Sequence, residues 1–303
     1  MAGNTASPLL VAAFYKFVAL PDCAALRAPL LDICRELGVK GTILLADEGI
    51  NGTIAGEHSA IHAVLEFLRK DVRFSNLEHK ESSTDALPFE RLKVRLKKEI
   101  VTLGLPDVNP ANSAGRYVTA EEWNRLLDNP DVVVIDVRNE YEVALGTFKG
   151  ALNPHTQSFR DLPAWVRNEP ALRNKPKVAM FCTGGIRCEK STAFLRAEGF
   201  QDVYHLQGGI LKYLETIPEK DSRFSGDCFV FDERVALGHE LQAGTDELCR
   251  SCCRPVTDAD KSSAKYVPGL SCPRCFDTKS PEKQAGLRER RRQLMSKIRR
   301  LRR

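Results

Sequence analysis

The strongest chemical signal in the chain is one six-residue loop, Cys182-Thr183-Gly184-Gly185-Ile186-Arg187. The apolar run 178–181 before it reads as a buried strand, and residues 189–197 after it read as a helix. Cys182 therefore stands at the carboxyl end of a strand, where open α/β sheets bind their ligands. Two glycines let backbone N–H groups turn inward, and the helix N-terminus adds partial positive charge. Arg187 adds a full one. All three favour a thiolate, a persulfide anion or a bound oxyanion, and the thiolate is the competent nucleophile. The expectation is an accessible sulfur anion at the rim of the loop, in place of a small buried hydrophobe. Cys188 lies just past the loop and is either a resolving thiol for an oxidised Cys182 or a packing residue.

The elements that must position this loop can be read from hydrophobic period. Residues 117–220 open with a capping box, Thr119 and Glu122, ahead of Trp123, Leu126 and Leu127. Continuous apolar runs at 132–137 and 178–181 and a strand at 203–206 alternate with helices, and Gly208-Gly209 starts the helix over 210–216. That pattern implies a parallel α/β sheet. Upstream, residues 8–104 predict strands at 11–18 and 40–46, a turn at 48–52, a hairpin arm at 53–55 and a further strand near 72–79. Helices are predicted over 22–37 and 57–69. The order β-α-β-β-α-β is that of a ferredoxin-like sandwich. Residues 105–116, rich in Pro, Asn and Gly, read as a linker.

Between them, over 90–102, Leu92, Val94 and Leu96 alternate with Arg91, Lys93, Arg95 and Lys97. One face of this strand is then apolar and the other uniformly basic. The basic face is either a seat for an anion such as RNA or an edge guarded against aggregation.

Five of the ten cysteines fall between Cys249 and Cys275, inside a cysteine-rich region at 221–280. Cys249-x2-Cys252 and Cys272-x2-Cys275 have the spacing of four-cysteine zinc sites, with Cys253 as an extra thiol. A structural zinc is expected there, because the segment has too few apolar residues for a core of its own. Residues 281–303 form a basic helical tail. Eight arginines and one lysine oppose one glutamate from Arg288 onward, so the chain's net charge of +5 is concentrated there and the remainder is net acidic. Arg290, Arg291 and Arg292 are candidates for phosphate contact. No run approaches a membrane span, and no secretory signal is recognised at the start, so a cytoplasmic protein is expected. His62, His79, His155, His205 and His239 show no metal-ligand spacing, and His205 is expected to pack.

Two stretches give these parts a family context. The 182–187 loop resembles the active-site loop of rhodanese domains, which begins with the catalytic cysteine. Ile135-Asp136-Val137-Arg138 and Gly146-Thr147-Phe148-Lys149-Gly150-Ala151 resemble the other rhodanese signature, which implies that Asp136 and Arg138 are pocket or scaffold residues. Glu48-Gly49-Ile50-Asn51-Gly52-Thr53, residues 93–104, Cys182 through Lys190, and Gly226-Asp227-Cys228-Phe229-Val230-Phe231-Asp232 occur in that order. Together they resemble the bacterial oxygen-dependent tRNA uridine hydroxylase family, over roughly residues 10–280. The resemblance implies a ferredoxin-like domain joined to a rhodanese domain, with Cys182 catalytic. It also implies hydroxylation of a wobble uridine to 5-hydroxyuridine with molecular oxygen as co-substrate. The implied partner is the anticodon region of tRNA, with no DNA and no membrane.

The residues alone establish less: a nucleophilic, anion-friendly cysteine and a basic surface. No flavin, haem or non-haem iron signature is recognised, which favours a route centred on sulfur, as thiolate or persulfide. A rhodanese-type sulfurtransferase is the main alternative, but it leaves the N-terminal domain and the basic segments without a purpose. A non-enzymatic RNA-binding redox sensor is the second.

Overall fold

The computed structural model describes residues 8–105, 107–244, 247–252, 254–278 and 280–301. Cys253 lies outside them, as do the side chains of Arg290 and Arg291. The chain forms two compact units. The first runs to Cys228 and takes in Gly238–Gln242; the second holds Phe229–Leu237 and the chain from Ala243 onward. Among the described residues, no helix is long and apolar enough to cross a membrane.

The first unit begins with the ferredoxin-like domain. Its strands are β1 (Leu9–Phe17), β2 (Lys40–Ala46), β3 (Gly49–Gly56), β4 (His79–Thr84) and β5 (Leu92–Leu96), and its helices are α1 (Cys23–Glu36) and α2 (His58–Arg69). The sheet order is β4-β1-β3-β2-β5, antiparallel except where β5 joins β2 in parallel. Ile61, Val64, Leu65 and Leu68, four to a helical face, are all buried.

Three local expectations shift here. Residues 72–74 form a 3-10 turn capped by Asp71, and the fourth strand starts only at His79. The hairpin turn is tighter than the 48–52 reading, since strand pairing already resumes at Gly49 opposite Ala46. Gly49 has φ +138°, and a Cβ there would stand 2.0 Å from the Lys16 carbonyl oxygen, so only glycine continues the strand. In β5, Val94 points inward as expected, but Leu96 is 45 % exposed. Arg91, Lys93, Arg95 and Lys97 are exposed along this edge strand.

The short helix α3 (Pro110–Ser113) leads into the rhodanese domain. There β6 (Arg116–Val118), β7 (Val132–Asp136), β9 (Lys177–Phe181) and β10 (Val203–Leu206) form a parallel sheet in the order β6-β10-β9-β7. The short strand β8 (Gly146–Phe148) pairs outside it with residues Phe224–Gly226. The helices are α4 (Ala120–Leu127), α5 (Glu140–Val143), α6 (Leu162–Asn168), α7 (Ile186–Ala197) and α8 (Gly209–Thr216). The capping box forms: Glu122 N–H donates to Thr119 Oγ1 at 3.3 Å, and Thr119 N–H donates to Glu122 at 2.9 Å. Two apolar layers cover the sheet. Trp123, Phe148 and Phe181 interlock on one face, and Val178, Met180, Phe194 and Leu195 pack on the other. Strand β9, buried from Val178 to Phe181 and flanked by β7 and β10, delivers Cys182 from the middle of this sheet.

The two domains of this unit meet on the first turn of α7. Lys190, buried, places its ammonium 2.8 Å from Glu48 and 2.5 Å from Glu99 and donates to the Val101 carbonyl at 3.0 Å. Both carboxylates come from the ferredoxin-like side. Glu48 also accepts from the Ile100 N–H, and Glu99 accepts from Leu103 and Gly104 N–H groups. A buried ammonium is tolerable only with such full compensation.

Candidate active site around Cys182

The loop after β9 is shaped by two glycine pairs. Gly185, at φ +103°, is the N-cap of α7 and turns its N–H onto Cys182 Sγ at 3.1 Å. Gly209, at φ +68°, lets α8 approach: a Cβ there would lie 2.5 Å from the Cys182 carbonyl oxygen. That approach allows Ile210 and Leu211 N–H groups to donate to the Cys182 and Thr183 carbonyls at 2.9 and 3.1 Å. The loop is thus clamped from below by one helix start and capped from the side by another.

Cys182 is fully buried. This corrects the expectation of a sulfur at an open rim. The residue belongs to the apolar layer that includes Met180, Cys188 and Phe194, and the packing of α7 against β9 closes over it. Burial by itself disfavours the thiolate. The Cys188 thiol, the Arg187 charge and the N–H groups of Cys188 and Gly185 outweigh it and bring Cys182 down to about 5. Cys188 moves the opposite way, raised by burial and by the anion it hydrogen-bonds. Cys188 packs in the same apolar layer as Cys182 and favours its anion.

Arg187 does not point its guanidinium at open space. It forms a bidentate pair with buried Glu142, at 2.7 Å to each oxygen, and donates to Thr183 Oγ1 at 3.3 Å. Asp136 and Arg138 act as scaffold. They pair with each other at 2.7 and 2.9 Å in full burial, Thr147 donates to Asp136, and Arg138 donates to the Gly146 carbonyl. Gly184 and Ile186 complete the turn without a side-chain role in charge compensation. His205 is buried against Tyr117 with ring centres 4.1 Å apart, and burial lowers it to about 4. It is a neutral packing residue, as expected.

Four residues that the sequence reading did not single out join this site. Glu142 anchors Arg187. Tyr15, on β1, donates to Glu189 at 2.7 Å. Lys80, on β4, donates to the Gly184 carbonyl at 2.9 Å and lies 5.6 Å over the Tyr15 ring. Glu189 itself stood in the sequence reading only as part of the run from Cys182 to Lys190, and nothing in that run reveals its partner Tyr15. The basic edge strand β5 is not brought to the loop. It lies at the far edge of its sheet from β4, four strand spacings or about 19 Å away. Arg292 is exposed and pairs with Glu289 at 3.3 Å in the second unit.

In that second unit Cys249, Cys252, Cys272 and Cys275 converge, with all four sulfurs within 4.8 Å of one another. The closest separations are 3.6 Å for Cys252–Cys272 and 3.8 Å for Cys249–Cys275 and Cys272–Cys275. Zinc–sulfur bonds of about 2.3 Å in a tetrahedron put sulfurs about 3.8 Å apart, so the spacing fits a metal. The surrounding core is small, with Val256 and Tyr266 as its other apolar members.

Residues 9–100 match the model of the UPF0176 acylphosphatase like domain, and residues 119–216 match the rhodanese-like domain. A tRNA uridine(34) hydroxylase of Acaryochloris marina is 60% identical over 95% of this chain and 93% of its own. Those of Albidiferax ferrireducens and Rhizobium leguminosarum are 58% and 55% identical, over 94% and 95% of this chain and 90% and 93% of theirs.

The Arg187–Glu142 pair sets a stability test. Arg187→Met leaves a buried carboxylate without its cation, an expected loss of about 3–5 kcal/mol at neutral pH by denaturant titration. In the wild type, burial raises Glu142 but Arg187 more than offsets it and holds the carboxyl below its ordinary range. The pair's contribution is therefore present above the unfolded-state value and is lost as pH falls through the folded one. The gap between wild type and variant should narrow toward pH 4; a gap independent of pH would contradict the pairing. Extensive identity through both domains and beyond them, together with the two domain matches, places this chain in the tRNA uridine(34) hydroxylase family.

Proposed function

We propose that the protein hydroxylates C5 of the wobble uridine of tRNA to 5-hydroxyuridine, using molecular oxygen and the sulfur of Cys182. The observation that carries this reading is a buried cysteine at the carboxyl end of a central strand, its sulfur accepting from the Gly185 N–H at 3.1 Å, in a chain of this family. C5 of uracil becomes carbanion-like once a nucleophile adds at C6, and an anionic sulfur, as thiolate or persulfide, is such a nucleophile. Overall, one oxygen atom of O2 replaces hydrogen at C5 and the other leaves as water. Two electrons and two protons come from a reductant of the thiol class.

Cys182 is fully buried, so this reading requires that tRNA engagement uncover the sulfur. Exposed Arg91, Lys93, Arg95 and Lys97 on the edge strand, with Arg290, Arg291 and Arg292 of the tail, supply phosphate contacts. Single-stranded anticodon bases suit specific readout. The substrate places the work in the cytoplasm. We also infer that Cys249, Cys252, Cys272 and Cys275 hold a structural zinc ion, which replaces the core that this segment lacks.

Two measurements test these readings. Reduced protein is incubated with unmodified tRNA and a thiol reductant, under air and under nitrogen, and nucleosides are analysed by mass spectrometry. A uridine gaining one oxygen under air alone, and lost in Cys182→Ser with tRNA binding intact, is the expected result. Sulfur transfer from thiosulfate to cyanide with no altered nucleoside would point to a sulfurtransferase. Metal analysis of reduced protein should give one zinc per chain, falling toward zero in Cys249→Ser/Cys272→Ser. Well under one in the wild type refutes the zinc assignment.

A further inference from the structure

A cleft of about 1660 Å³ opens between the β1–β4 edge of the ferredoxin-like sheet and the rhodanese domain. Tyr15 and Lys80 line it from one side, and Tyr117, Glu189 and Lys212 from the other. Its lining mixes aromatic rings able to stack on a base with charges of both signs, Lys80 and Lys212 beside Glu78, Glu81, Glu189 and Glu215, which suits a nucleobase better than a phosphate. Tyr117 is 46 % exposed and is backed by His205, so the ring is held firm at the cleft wall.

Glu189 has no use in the charge balance of Cys182. Arg187, Cys188 and the Gly185 N–H serve that purpose, and Lys190 serves the domain contact. Among the described residues, no lysine, arginine or histidine lies within ion-pair distance of Glu189. Its carboxyl instead accepts a hydrogen bond from the Tyr15 hydroxyl at 2.7 Å, with Tyr117 on the wall of the same cleft. Tyr15 in turn touches the cysteine loop, since a Cβ on Gly185 would lie 2.8 Å from its hydroxyl oxygen. A carboxyl held by one phenol, lining a cleft and abutting the nucleophile's own loop, is placed to exchange a proton with a base bound there.

Resting on the reading of the reaction above, we propose that this cleft seats the everted uridine and that Glu189 takes the proton that leaves C5. After sulfur has added at C6 and oxygen has been delivered to C5, the ring must regain its double bond. The C5–H bond breaks and its proton passes to the Glu189 carboxylate. That electron pair forms C5=C6, and the C6–S bond breaks with its pair returning to sulfur. Tyr15 orients the carboxylate for this step. Burial raises Glu189 above the ordinary carboxylate range, against the pull of both tyrosines and nearby Lys80 and with the push of the Cys182 anion, which makes it a stronger base than a solvated glutamate.

The test is single-turnover hydroxylation of tRNA by the full chain between pH 5 and 9, with wild-type product formation as the entry condition. Absence of product from the wild type refutes the hydroxylase reading itself. With product established, Glu189→Gln should lower the rate about 100-fold or more while tRNA affinity and Cys182 alkylation stay within threefold of wild type. The part of the ascending limb that lies above the Cys182 titration at about 5 should be absent from the variant. Because glutamine still accepts from Tyr15, a purely structural role predicts a rate within threefold and an unchanged limb, and that result overturns the proposal. Should Glu189→Gln fail to fold, Tyr15→Phe decides. Removing its hydrogen bond to the carboxylate should shift the limb to higher pH, and an unshifted limb overturns it.

Discussion

A sulfur anion without water is the constraint around which this molecule is organised. Desolvation penalises the charged form of Cys182, so every compensation must come from fixed neighbours. The loop and the start of α7 supply them: the Gly185 N–H, the Arg187 charge, itself anchored by Glu142, and Cys188. The next two residues serve other ends, since Glu189 accepts from Tyr15 and Lys190 clamps Glu48 and Glu99. One short stretch of chain thus carries charge balance, the cleft wall and the domain contact. That economy explains why the ferredoxin-like domain is not a detachable neighbour. Lys80 and Tyr15 from its sheet touch the cysteine loop, and its Glu48 and Glu99 hold Lys190 of the helix that follows the loop.

Much of this was legible in residue order, and what was missed has a physical reason. Helical periodicity located the helices that bury one face, and continuous apolar runs located the rhodanese strands, because those are buried on both faces between two apolar layers. The capping box at Thr119 and the buried face of α2 formed as their spacing requires. The four-cysteine spacing brought its sulfurs together. Boundaries erred where a tight turn intervened, at 48–52 and at 72–79, since period alone does not see a two-residue hairpin or a 3-10 turn.

The site was legible along the chain but not across it. Cys182, its glycines and Arg187 stand side by side in the sequence. The partners Glu142, Tyr15 and Lys80 lie 40, 167 and 102 positions away and become neighbours only through the sheet order. The open rim expected for the sulfur failed for the same reason. A glycine turn announces inward N–H groups, which are present, but it says nothing of what packs above them. Arg187 was expected to favour a sulfur anion or a bound oxyanion, and its bidentate partner Glu142 was invisible without the fold.

The account stands or falls on the charge state of one sulfur. The direct measurement is the thiolate absorbance near 240 nm of the reduced protein against Cys182→Ser, followed from pH 4 to 10. The expected difference signal has its midpoint at about 5, so the sulfur is almost entirely anionic at neutral pH. A midpoint at or above the ordinary cysteine value, about 8.5, would show that burial prevails over the loop, and the sulfur chemistry inferred here would have no nucleophile.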